Sequence, residues 1–331
     1  MKKGILFFPF VFSLALTSCA SNIRHEIGEY FLETTWEDGK SEFRILQLTD
    51  IHLADKDDIQ THLDFMDLTI KQANPDFIVI TGDLFTFASQ TTAQKLFKFI
   101  DSYGVDWTAT IGNHDEQCYF NVDWLTGLLN SYSEHCKFID HQDDDVQGNS
   151  NFAINVKKAG SVFEELIIMD SNRYYYGSYF GYDFFKENQI EWYKRLIKHS
   201  VDEFGCNDSL LFCHIPLPEI YDAWDEAKTG ENGTELLYGE RREDPCSPDF
   251  NSGFYTEIEN LGHTKGMYFG HDHVNNFIIN FRNKIHFGYG IKATDRIYYD
   301  EDMMGGRVIV LHDDHSLTYE NIYHTYAELG R

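Results

Sequence analysis

Five short apolar runs in this chain end abruptly in acidic, amide or imidazole side chains. Arg44–Leu48 runs into Asp50-Ile51-His52, Asp76–Thr81 into Gly82-Asp83, and Val105–Ile111 into Gly112-Asn113-His114-Asp115. Later, Leu210–Cys213 ends in His214, and Met267–Phe269 in Gly270-His271-Asp272-His273. Apolar runs of this length bounded by Gly and Asp read as buried strands. Between the first three, Ile59, Leu63, Met66 and Ile70, then Ala93, Leu96, Phe97 and Ile100, recur at helical spacing. Strand–helix–strand–helix–strand predicts right-handed βαβ units in a largely parallel sheet, whose ligand sites lie beyond the carboxyl ends of the strands.

Five strand ends therefore deliver oxygen and nitrogen donors to one edge. Carboxylate, imidazole and amide oxygen together suit hard-to-borderline divalent metals. A pair of adjacent ions needs a shared carboxylate and several terminal ligands each, and this inventory suffices for two. Each motif alone says little. Asp313-Asp314-His315 is a similar triplet with no second cluster beside it, and a lone His after a strand, such as His214, is ordinarily a satisfied loop or core residue. Of the 15 His, those outside the motifs, His62, His199 and His286 among them, read as structural or surface groups. The order and placement of all five motifs carry the argument.

In the second half, Phe152–Val156, Leu166–Met169 and Ser209–Cys213 read as strands, with a helix over Lys186–His199. From Gly266 onward strands dominate: Met267–Phe269, Phe277–Phe281, Ile285–Tyr289, Val308–Leu311 and Leu317–Ile322. No linker divides the halves, so residues 41–331 are expected to form one domain of two packed sheets with helices outside. A chain of 331 residues that is 42% hydrophobic and 16% aromatic can bury a large core, which excludes disorder.

Lys2, Lys3 and the apolar stretch Gly4–Leu16 precede Leu16-Thr17-Ser18-Cys19. Residues 1–18 are expected to be a signal peptide with a bacterial lipobox, Cys19 the lipidated N-terminus, and residues 19–40 a polar tether. The apolar run is too short to span a bilayer comfortably. A plain secretory signal with a chance Cys is the alternative, and either exports the protein; the lipobox anchors it to the outer face of a bacterial membrane. Five cysteines then remain (Cys118, Cys136, Cys206, Cys213 and Cys246), so at least one is unpaired. None has a zinc-ribbon spacing, and a cysteine-based metal site is not expected.

With 27 Lys+Arg against 54 Asp+Glu the net charge is −27, a surface that repels nucleic acid. No nucleic-acid partner is expected, and membrane contact is expected through the lipid alone.

The series Asp50-x-His52, Gly82-Asp83, Gly112-Asn113-His114-Asp115, His214 and Gly270-His271-x-His273 resembles the calcineurin-like metallophosphoesterase superfamily, from residue 44 to about 291. Phe212–Glu219, Asn251–Phe254 and Gly270–Asn275 are similar to its purple-acid-phosphatase-related branch, which includes the Dcr2-type phosphoesterases. The resemblance implies an α/β fold, a four-layer αββα sandwich of two mixed sheets flanked by helices. It also implies two metal ions (Fe, Mn or Zn): Asp50, His52 and His273 on the first, Asn113, His214 and His271 on the second, Asp83 bridging. A hydroxide held between the metals would attack a phosphate monoester or small phosphodiester. His114 would assist the leaving group, and Asp115 would orient His114. Purple acid phosphatases carry a Tyr where this chain has Thr86, so a colourless enzyme is expected.

Glu231–Asp249 is expected to be a long irregular insert, and loops this long are functional lids or disordered. Its Arg241 and Arg242, and Arg173 elsewhere, could clamp a phosphate; solvated loop charges are the plainer reading. Tyr174–Tyr176 and Tyr179-Phe180 could wall a pocket or simply pack. The competing functions are a non-catalytic metal-binding surface lipoprotein on the same fold and, among enzymes, a nuclease. A binding module would not need His114 or keep every ligand, and the acidic surface argues against a nuclease.

Overall fold

The computed structural model describes residues 25–141, 145–178 and 180–330. In chain order the elements are β1 (Phe31–Thr35), β2 (Glu42–Leu48), α1 (Ile59–Ala73), β3 (Phe77–Thr81), α2 (Gln90–Asp101), β4 (Asp106–Thr110) and α3 (Val122–Asn130). There follow β5 (Phe152–Lys158), β6 (Ser161–Ile168), the hairpin β7 (Tyr174–Tyr176) and β8 (Phe180–Tyr182), α4 (Glu187–His199), β9 (Ser209–Phe212) and α5 (Ile220–Thr229). The chain closes with β10 (Glu235–Tyr238), α6 (Phe254–Leu261), β11 (Thr264–Phe269), β12 (Ile278–Phe281), β13 (Ile285–Tyr289), β14 (Gly305–His312) and β15 (Leu317–Tyr323).

Two mixed sheets form the centre. One has the order β15-β14-β2-β3-β4 and the other β1-β5-β6-β9-β11-β13-β12-β10. β2, β3 and β4 run parallel through α1 and α2, as the strand–helix alternation requires, and β14 closes on β2 antiparallel. In the larger sheet β6, β9, β11 and β13 are parallel. Alternation along β9 sets the layers. Leu210 and Phe212 join the core between the sheets, while Leu211 and Cys213 face the outer core under α4, α5 and α6. Leu63, Met66 and Ile70 of α1 and Leu96 and Phe97 of α2 bury the apolar stripes read from the sequence. All ligand-bearing loops thus emerge where the parallel strands end.

Two expectations are corrected. The polar tether does not extend to residue 40, because β1 pairs in parallel with β5 and seats Tyr30 and Trp36 in the core. A five-residue edge strand has too short a pattern to show in a polar stretch. The insert 231–249 is not irregular throughout: β10 adds an antiparallel edge strand to β12. The expected signal peptide and Cys19 lie outside the described residues. Among the described residues no helix is long and apolar enough to cross a membrane, and Cys118, Cys136, Cys206, Cys213 and Cys246 are free thiols.

Candidate dimetal site

The turns that follow β2 and β3 are held in an uncommon backbone state. Asp50, His52 and Asp83 have φ of 53°, 52° and 51°, a left-handed region costly for residues with a Cβ. Neighbouring glycines let the loops close up. A Cβ on Gly112 would sit 2.2 Å from Asp83 N, and one on Gly82 would sit 2.5 Å from His214 Nδ1.

The structure brings together all seven ligand positions read from the sequence. Donor atoms of Asp50, His52, Asp83 and His273 lie within 4.8 Å of one another, as do those of Asp83, His214 and His271, so Asp83 belongs to both groups. Asn113 Oδ1 stands 3.1 Å from His214 Nε2. All seven residues are buried.

Surrounding groups aim these donors inward. His214 Nδ1 donates to Thr81 O at 2.8 Å and His273 Nδ1 to Tyr298 O at 2.8 Å, which turns each Nε2 toward the centre. His52 Nδ1 lies 2.8 Å from Thr86 Oγ1. Asn113 Nδ2 donates to Tyr174 OH at 2.8 Å, turning its oxygen inward. Below, buried Lys292 Nζ donates to Asp50 O at 2.8 Å, and the His271 amide to the Asp50 carboxylate at 3.0 Å.

The inward polar atoms crowd one another. His52 Nε2 and His273 Nε2 are 3.0 Å apart, and Asp83 Oδ2 is 3.2 Å from His214 Nε2 and 3.5 Å from His52 Nε2. Asp83 Oδ2 and His271 Nε2 are buried without a hydrogen-bond partner. A pocket of inward oxygen and nitrogen atoms, two of them buried without a partner, fits cations, and the oxygen–nitrogen set suits Fe, Mn or Zn.

The electrostatics agree. Burial opposes a charge on His214, but Asp83 and Asp50 outweigh it and push the ring up to about 10. Burial, reinforced by His214, pushes His271 down to about 3. Burial and Lys292 hold His52 well below the usual imidazole range. Burial works against Asp50 and Asp83, yet the neighbouring imidazoles keep both below the usual carboxylate range. The cluster seeks positive charge beside Asp83.

His114 stands at the edge of this group. Its amide donates to Asp83 Oδ1 at 2.7 Å, and its ring lies 5.1 Å from that of His52. Its Nδ1 is 2.8 Å from Gln117 Oε1, so Gln117, not Asp115, orients the ring. Asp115 is buried and accepts from the amides of Phe85 (2.9 Å) and Gly112 (2.8 Å); burial and the Asp83 charge push it up to about 8. The sequence signal for Gln117 is its spacing, since residues three apart eclipse on a 3₁₀ turn such as Asp115–Gln117. Lys292 has no motif, and only the fold brings it beneath Asp50.

The expected arginine clamp is not formed by the insert. Arg242 is spent on Glu240, Asp300 and Asp302, and Arg241 on Asp244 and Glu243 O, because carboxylates crowd these loops. Arg173 lies 3.5 Å from Glu116, two positions past His114, and its Nη1 is buried without a hydrogen-bond partner. On the hairpin, Tyr174 stacks at 5.9 Å on Phe180, and Tyr182 meets the His271 ring edge-on at 4.4 Å. These rings therefore flank the second ligand group, while Tyr175 packs on Phe184 and Tyr176 projects into solvent. Tyr179 lies outside the described residues.

The chain matches the calcineurin-like phosphoesterase family over residues 43–275, and it belongs to that family. It is 30% identical over 278 residues to probable inactive purple acid phosphatase 29 of Arabidopsis thaliana, covering 71% of this chain and 68% of the relative. It is 28% identical over 274 residues to probable inactive purple acid phosphatase 14 of the same plant (71% and 66%), and 27% identical over 286 residues to phosphatase DCR2 of Saccharomyces cerevisiae (77% and 48%). The chain thus spans about two-thirds of the length of the plant relatives and about half that of the yeast one. A dimetal phosphatase structure from Danio rerio shares the fold, with a TM-score of 0.53 at 14% identity over 84% of this chain and 98% of that one.

Proposed function

We propose that the chain is a metal-dependent phosphoric ester hydrolase acting on phosphate monoesters or small phosphodiesters. The observation that carries this reading is Asp83 Oδ2, buried, unpartnered and shared between the His52 and His214 sides of the cluster. Asp50, His52 and His273 would hold one ion, Asn113, His214 and His271 the other, and Asp83 both. Bound there, two such ions lower the pKa of water and stabilise charge on phosphoryl oxygens.

The chain's own residues supply the rest. His114 keeps its Nδ1 hydrogen on Gln117, so Nε2 is the atom free to carry a proton to a leaving oxygen. Arg173 is the substrate contact this reading favours among the three arginines, since its Nη1 is buried without a hydrogen-bond partner. Two plant relatives are named probable inactive; the full ligand set and His114 support activity in this chain. We further propose export and anchoring through Cys19, on the strength of residues 1–19.

The test is hydrolysis of an aryl phosphate monoester and the matching bis-ester after manganese or iron/zinc loading, with and without chelator. Chelator-sensitive turnover is expected, and the ratio of rates reports monoester or diester preference. Two bound ions with no turnover of either ester would favour the non-catalytic metal-binding lipoprotein.

A further inference from the structure

At the opposite end of the larger sheet lies a second donor cluster that phosphoester chemistry does not use. Glu165 of β6, Cys206 before β9 and His263 before β11 bring a carboxylate oxygen, a thiol sulfur and a ring nitrogen within 4.8 Å of one another, all buried. Register explains the convergence. Glu165 pairs with Ser209 at the start of β9, and Ser209 with Thr264 at the start of β11. His214 and His271 follow the far ends of these same two strands. The extended path from Ser209 to His214 separates the clusters by roughly 17 Å.

Glu165 points to a ligand. It is 0% exposed, and neither carboxylate oxygen has a hydrogen-bond partner. Ser200 lies beside it, but its single hydroxyl hydrogen goes to Leu196 O at 3.1 Å. Lys265 is bound to Glu164, on the other face of β6, at 2.7 Å. Burial pushes Glu165 up to about 7 and Cys206 up to about 12, the behaviour of acids buried without a counter-charge.

The tautomer of His263 is fixed. Its Nε2 lies 3.1 Å from Cys206 O, which can only accept, so Nε2 carries the hydrogen and Nδ1 the lone pair. An imidazole N–H held by a backbone carbonyl is the arrangement that orients metal-bound histidines. Nδ1 accepts from Ser209 Oγ at 3.0 Å, and Ser209 has a second partner in Thr264 Oγ1 at 2.8 Å. The lone pair can be released without orphaning the serine.

We propose that Glu165, Cys206 and His263 form a third metal site of the zinc class. One oxygen, one sulfur and one nitrogen ligand suit zinc, and a three-ligand set leaves the fourth coordination position to a water or another small donor. The ion would tie the start of β9 and β11 to the end of α4, whose π-helical turn Ser200–Phe204 receives the Cys206 amide on Ser200 O at 3.3 Å. Cys206 and His263 are 57 positions apart, so no spacing rule reveals the pair.

The test uses the full chain loaded with cobalt or cadmium. The dimetal ligands are nitrogen and oxygen, so a near-ultraviolet thiolate-to-metal charge-transfer band arises only where a cysteine coordinates. Wild type is expected to develop such a band, saturating at one ion per chain. Cys206→Ser is expected to abolish it and Glu165→Gln to weaken binding at least tenfold. Cys246→Ser, beside His271, is expected to keep the band. Absence of the band in saturated wild type, or its loss in Cys246→Ser and survival in Cys206→Ser, overturns the proposal. The wild-type spectrum decides first, so a poorly folding variant cannot rescue it.

Discussion

His114 Nδ1 rests on Gln117 Oε1 at 2.8 Å, while Asp115, its neighbour in sequence, gives its carboxylate to the amides of Phe85 and Gly112. Orientation of the proton-carrying imidazole and shaping of the loop are thus divided between two residues. The amide oxygen fixes the tautomer without adding charge.

Gln117→Leu is therefore expected to lower kcat by about 10- to 100-fold, with metal content and KM little changed. Gln117→Glu restores an acceptor and is expected to recover part of the rate. Steady-state kinetics with metal analysis check this. A wild-type kcat in Gln117→Leu would contradict it.

Thr86 stands where the resemblance to purple acid phosphatases implies a Tyr, and its Oγ1 lies 2.8 Å from His52 Nδ1. Thr86→Val removes that support and is expected to weaken binding of one ion by about 10- to 100-fold, read by competition with a chelator. The metal-loaded wild type is expected to be colourless; a visible charge-transfer band after iron loading would contradict this.

A pH effect on folding follows from Glu164, 0% exposed, with one oxygen on Lys265 Nζ at 2.7 Å and the other unpartnered. Burial outweighs Lys265 and pushes this carboxyl from 4.5 up to about 8. Between those values the folded chain keeps a proton that the unfolded chain releases. This contribution to stability is therefore full below pH 4.5 and is lost as pH rises through 8. The Tm is expected to fall across that window by roughly 2–4 °C per kcal/mol lost. Glu164→Gln should flatten the slope, and an unchanged slope in that variant would refute the assignment.

The clustering of the seven candidate ligands was legible because each follows a strand with its own punctuation and parallel strands end at one edge; their division between two ions is what the resemblance implies. Gln117 and Thr86 hold ligands or the ring through contacts that spacing only hints at. Lys292 reaches Asp50 through a β-bridge between Thr49 and Lys292 that belongs to tertiary structure alone. Arg241 and Arg242 misled because isolated cations in an acidic chain look available. The fold folds Asp300 and Asp302 back onto Arg242, a pairing invisible at that sequence separation. β1 escaped notice for the opposite reason, since its side chains alternate too briefly and gain order only by pairing with β5.

The central claim is that one buried carboxylate joins two metal positions that together perform hydrolysis. It is tested most directly by measuring bound metal and aryl phosphate turnover together in wild type, Asp83→Ala and His114→Ala. The account predicts that Asp83→Ala loses the dimetal pair and turnover alike, whereas His114→Ala keeps both ions and loses about 10²- to 10⁴-fold in rate. Wild-type metal content and turnover in Asp83→Ala would contradict it.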